Sequence, residues 1–264
     1  MSIALPRPER RDRLIVGGGL AALVVLSWLY LWREATAMSA MDRHAAMGMA
    51  MPDTATWTLV EFVFLTVMWT VMMVGMMVPS AAPMILLFAT LERKRTEDAA
   101  PWLRTALFLL GYLLVWSAFS VLAAAAQWAL HGVALVSPMM VATSPFLGGA
   151  LLVAAGVFQW TPLKQACLRT CRSPLGFLLG AWRGGARGAL EMGMRHGALC
   201  LGCCWALMAL LFVAGVMNLL WVAVIAAFVL AEKAFPGGEG LGRTAGFVLV
   251  AAGLALIGNG LLGG

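Results

Sequence analysis

Three of the five cysteines and one of the three histidines fall in a single stretch, His196-Gly-Ala-Leu-Cys200-Leu-Gly-Cys203-Cys204-Trp205. The stretch opens an apolar run that continues to about Met217. On a helix, His196, Cys200, Cys203 and Cys204 follow one another at steps of four, three and one, and residues three and four apart share a face. An imidazole and three thiols then line one stripe near the mouth of a membrane helix. Cys167 and Cys171, four apart, lie just upstream, bracketed by Pro162 and Pro174. Thiol and imidazole are soft or borderline donors. The two groups read as halves of one soft-metal site made of Cys167, Cys171, Cys200, Cys203, Cys204 and His196.

Other readings of the same residues stay open. A buried cysteine is often a small hydrophobe. A closed set of four cysteines, or of three with a histidine, suits zinc. Adjacent Cys203 and Cys204 point about 100° apart on a helix. That is awkward for a tetrahedral site and less so for low-coordinate Cu(I). Glu191-Met192-Gly-Met194-Arg-His196 adds further donors beside the thiols.

Methionine is the second soft donor, and the chain has 18. Met68, Met72 and Met76 are four apart, as are Met73 and Met77, so two offset rows of thioethers run along the second apolar segment. Packing accounts for such a stripe, and so does a metal path. Met38, Met41, His44, Met47, Met49 and Met51 fall in a polar link over residues 33–56. That link suits an outer metal-collecting loop or an interfacial helix.

The elements that must position these donors are membrane spans. Hydrophobic residues make up 62% of the chain and charged residues 11%, which excludes an ordinary soluble domain and disorder. The net charge of +6 comes from short basic segments between apolar runs, where it orients a protein in a bilayer, so no nucleic-acid partner is implied. The pattern predicts an all-α polytopic membrane helix bundle of about seven transmembrane helices, the lipid bilayer being its first partner. The spans are expected near 14–32, 57–91 (kinked at Pro79 and Pro83), 103–130, 146–160, 197–217, 219–231 and 244–262. Residues 1–56 hold the N-terminal tail, the first span and the Met/His-rich loop; residues 57–264 form a six-helix membrane domain with the cysteine cluster. The charged, glycine-rich segment up to Arg195 reads as interfacial.

Of the 18 Lys and Arg, all but Arg33 and Arg43 fall on one side of this map. The positive-inside rule places the N-terminus in the cytoplasm, the Met/His loop outside and the cysteines at the cytoplasmic ends of the fourth and fifth spans. Thiols there stay reduced.

Three stretches, Trp69-Thr-Val-Met-Met-Val-Gly-Met-Met-Val-Pro79, Gln159-Trp-Thr-Pro-Leu-Lys-Gln-Ala-Cys-Leu-Arg-Thr-Cys-Arg-Ser-Pro174 and Cys200-Leu-Gly-Cys-Cys-Trp-Ala-Leu-Met208 running on to Glu232-Lys233, carry a resemblance. The chain resembles a bacterial family of predicted metal-binding integral membrane proteins, some of whose members are labelled copper chaperones. The resemblance covers most of the chain from residue 57 onward and implies metal binding without a reaction. The leading expectation is a non-enzymatic protein of the bacterial inner membrane that binds copper as Cu(I), with zinc as the other metal, and exchanges it with a copper donor or acceptor protein. No P-loop or aspartyl-phosphate motif is present, which excludes an ATP-driven pump. A membrane thiol–disulfide electron carrier and a membrane scaffold or assembly factor are the alternatives.

Overall fold

The computed structural model describes residues 10–46, 59–95, 101–132 and 144–262. These form helices throughout, with no strand among the described residues. In chain order they are α1 (Arg10–Ala46), α2 (Leu59–Arg95), α3 (Pro101–Gly132), α4 (Pro145–Phe158), α5 (Pro162–Cys171), α6 (Pro174–Ala181), α7 (Gly185–Ala209), α8 (Leu211–Ala214), α9 (Leu219–Ala234) and α10 (Gly238–Leu262).

Five segments are long and apolar enough to cross a membrane: Leu14–Ser39, Leu59–Arg95, Trp102–Leu130, Gly185–Ala214 and Gly238–Leu261. A sixth is available if α4 and α5, bent by 64° at their junction, act together. Of the seven expected spans, five, or six with the bent pair, meet this length and composition requirement among the described residues. The sixth expected span is α9, whose 16 residues rise only about 24 Å, short of the roughly 30 Å of bilayer hydrocarbon.

Three further expectations change, each for a local reason. Residues 33–46 continue α1 instead of starting a loop. They contain no Gly or Pro and five alanines, so nothing stops the helix. Met38, Met41 and His44 thus sit on a helix, while Met47, Met49 and Met51 lie outside the described residues. The segment before His196, expected at the interface, is the first part of α7. Arg187, Glu191 and Arg195 are four apart, so their charges share one side of the helix and leave the opposite side apolar. The cysteines of α7 therefore lie well inside a helix and not at its mouth. At the end of α4, Pro162 disfavours helical geometry at Thr161. The chain bends there, the Thr161 side chain caps α5 by accepting from the Lys164 amide, and α5 is laid against α7.

The bundle is built from pairings of α1 with α2, α2 with α3, α3 with α7, α4 with α10, α5 with α7 and α2 with α9. The α3–α7 contact is the tightest for a reason of composition. A Cβ on Gly193 would lie 2.0 Å from the Phe108 carbonyl oxygen, and one on Gly111 would lie 2.2 Å from that of Leu190. Glycine on both helices lets the two backbones touch, the usual device where lipid removes the hydrophobic drive for helix pairing. The second expected span stays helical through Pro79 and Pro83, and its methionines turn inward. Met72, Met73 and Met77 are fully buried, and Met68 and Met76 nearly so.

Gly193→Val places two extra methyl groups against a main-chain carbonyl that cannot yield. The expected cost is about 3 kcal/mol or more, read as a lost thermal transition in detergent. Gly18→Ala, with nothing within 4 Å of the added Cβ, should leave that transition unchanged.

Candidate metal centre

The inward stripe of α7 carries Met192, His196, Cys200, Cys203 and Cys204, all buried. Their spacing is helical, so packing α7 through Gly193 and Gly197 against α3 turns this stripe into the bundle. Tyr112, one turn beyond Phe108 on α3, then meets Cys200.

Cys200 Sγ sits in a closed ring of contacts. Lys233 Nζ donates to it at 2.9 Å, and Tyr112 Oη lies 3.2 Å away. The same Tyr112 hydroxyl is 3.2 Å from the Met77 carbonyl oxygen, which also accepts from Ser80 Oγ at 2.9 Å. Lys233 Nζ closes the ring by donating to Ser80 Oγ at 3.1 Å. Four helices, α2, α3, α7 and α9, are tied at one sulfur.

The remaining thiols surround this point. Cys203 and Cys204 donate back to the Cys200 carbonyl at 3.0 and 2.9 Å. Cys204 Sγ is 3.9 Å from Met77 Sδ, so the methionine row of α2 ends against the thiol stripe of α7. From α5, Cys171 lies on the side of Cys203, near enough for the two thiols to interact. Cys167 lies over Gly202, where a Cβ would be 2.8 Å from its Sγ. All five cysteines are free thiols; Cys171 alone of them is more than slightly exposed. The structure thus brings the two cysteine groups together.

It does not assemble them into a closed metal cage. Among the described residues no three His, Cys, Asp or Glu side chains are placed to hold one ion. His196 shares the stripe but packs between rings, with centroids 5.6 Å from Tyr112, 5.6 Å from Phe177 and 6.1 Å from Phe108. Its Nδ1 has no hydrogen-bond partner.

Beside the thiols lies a buried ion pair, Lys164 Nζ to Glu232 Oε1 at 2.6 Å, with both side chains at most 1% exposed. Gln159 Oε1 accepts from the same ammonium. Apart from that ion pair the Glu232 carboxylate receives no hydrogen bond. The sequence alone reads Lys164 as an orienting charge and one of the cations that favour thiolate at the helix mouth, reads Lys233 as an orienting charge, and gives Tyr112, Ser80 and Glu232 no role at the site. The available signals were a lone phenol inside an apolar run and a Glu-Lys pair closing another.

A family model, PpoB2, described as copper chaperone, matches residues 66–256. The chain belongs to this copper chaperone family. No curated protein and no solved structure matches. Every thiol, the methionine row Met68, Met72, Met73, Met76 and Met77, and the Lys233 ring fall inside the copper-chaperone match, whereas Met38, Met41, His44, Met47, Met49 and Met51 fall before it.

Because a buried charge left alone is far costlier than the pair removed whole, Lys164→Met should cost about 3–5 kcal/mol, and Lys164→Met with Glu232→Leu should recover most of it. Thermal unfolding of the two variants in the same detergent checks this.

Proposed function

We propose that this protein is a membrane-embedded carrier of cuprous ion, taking Cu(I) from one protein and passing it to another without catalysing a reaction. The observation that carries the reading is the contact of Met77 Sδ with Cys204 Sγ, 3.9 Å. It joins a buried row of thioethers to a buried stripe of thiols, the two ligand types that favour Cu(I) over harder ions. The copper chaperone family supports the same cargo.

The coordination follows from what the helices can offer. Structural zinc takes four ligands, and no three His, Cys, Asp or Glu side chains of the described residues converge. Cys200 and Cys204, one turn apart, and Met77 across from them can serve an ion content with two or three soft ligands. Cys203, Cys171 and Cys167 form the adjoining relay. His196, set among three rings, stands at the edge of this group. Copper is therefore favoured over zinc here, and metal homeostasis over the scaffold role.

Met68, Met72, Met73, Met76 and Met77 supply the route. An unpaired cation in hydrocarbon is very costly, and thioether rungs spaced roughly 6 Å apart along a helix lower that cost. They point into the bundle and not at lipid, as a path requires. With the N-terminus in the cytoplasm, as the basic residues argue, the distal end of the row faces outside, where Met38, Met41, His44, Met47, Met49 and Met51 gather the ion. The membrane is then the bacterial inner membrane. Reporter fusions after Ala46 and after Ser173 should read opposite sides; the same side for both sinks this orientation.

Leucine keeps the volume of methionine and removes the donor, so Met72→Leu/Met76→Leu should change stability by less than about 1.5 kcal/mol. The expected outcome is normal folding with lost loading of Cys200 and Cys204 from copper added at the outer face. Loading equal to the parent's makes the row packing alone. A parent that binds no copper but cross-links Cys171 to Cys203 on mild oxidation replaces the carrier with a thiol–disulfide electron carrier.

A further inference from the structure

Lys233 Nζ touches Cys200 Sγ at 2.9 Å and Ser80 Oγ at 3.1 Å, and no carboxylate pairs with it among the described residues. The nearby Lys164 and Glu232, 2.6 Å apart, cancel each other. The other polar groups facing this point are Tyr112 from α3, Ser80 and the Met77 carbonyl from α2, the five thiols, and His196. Arg172, at the end of α5, is half-buried and turned away onto the Phe235 and Pro236 carbonyls. Inside a membrane bundle this leaves the partly buried Lys233 ammonium without a carboxylate partner among the described residues, and an unmatched charge withdrawn from water is costly.

We infer that Lys233 is the built-in counter-cation of the loaded site, and that the loaded site is a bis-thiolate Cu(I) centre held by Cys200 and Cys204. This rests on the carrier reading above and specifies its coordination. Charge decides between the available ligand sets. Cu(I) with one thiolate and one thioether is neutral and leaves Lys233 unmatched. Cu(I) with two thiolates carries one negative charge, and Lys233 cancels it. A three-thiolate zinc centre carries the same charge, but no three thiols converge. Cu(I) displaces the proton of each thiol that binds it as thiolate, so two thiols bind one ion and release two protons. The Met77 thioether remains a neutral third neighbour. Lys233 is a positioning residue: it touches the thiolate ligand and not the metal.

The test uses the full chain in lipid nanodiscs, loaded with Cu(I) and challenged with a cuprous chelator. Lys233→Met should lower retention at least about tenfold, as removing one partner of a buried charge pair does. Lys233→Arg should restore it to within about threefold, since the positive charge is kept. A merely structural lysine is separated by charge coupling. In a Cys204→Ser background the centre is neutral, no counter-cation is needed, and Lys233→Met should cost no further retention. X-ray absorption at the copper edge should count two short Cu–S bonds in the parent. Equal losses from Lys233→Met in both backgrounds, or three short Cu–S bonds, overturn the counter-cation. A parent that holds no Cu(I) overturns the carrier reading itself, and this inference with it.

Discussion

Gly193 allows the backbone of α7 to lie against the carbonyl of Phe108, and this contact sets where the polar groups around Cys200 meet. In lipid there is no water to expel between helices, so pairing depends on how closely backbones approach. Once α3 and α7 touch there, helical geometry leaves little choice. Tyr112 follows Phe108 by one turn, Cys200 follows Gly193 by about two, and the phenol and thiol come within 3.2 Å. A side chain at Gly193 would push the helices apart and remove the meeting point without altering any donor.

Around that point the protein keeps charges that a membrane interior resists. Lys164 and Glu232 neutralise each other, and the pair contributes position more than stability, since two desolvated ions return little net free energy. Lys233 is different in kind, because it leans on a sulfur and a hydroxyl. The ring through Tyr112, the Met77 carbonyl and Ser80 spends the donors and acceptors of four helices on one thiol. Polar groups so connected hold a geometry that apolar packing alone would leave adjustable.

The methionines occupy a middle position between packing and chemistry. A thioether is soft both as a ligand and as a filler. Being buried therefore does not decide between the two roles, and the argument for a path comes from where the row ends. It ends at Cys204 through Met77, and the neighbouring turn of the same helix supplies the Met77 carbonyl and Ser80 to the Cys200 ring.

The sequence by itself determined the helical class, the membrane setting and the two cysteine groups, because hydropathy and a helical period are local properties of consecutive residues. It also placed His196, Cys200, Cys203 and Cys204 on one face, and Met72 with Met76 on another. Helix ends were less legible. Residues 33–46 are polar yet helix-permissive, and the charges before His196 sit on one side of α7, so composition pointed to loops where the chain continues its helices. Only the tertiary structure decided that Cys167 lies over Gly202, that Met77 meets Cys204, and that Lys233 belongs to the thiols more than to the membrane surface. Those pairings join residues far apart in the chain, Lys233 with Ser80 by 153 positions. They depend on the glycine contact between α3 and α7 and on the bend at Pro162, whose effects appear only when the helices are packed together.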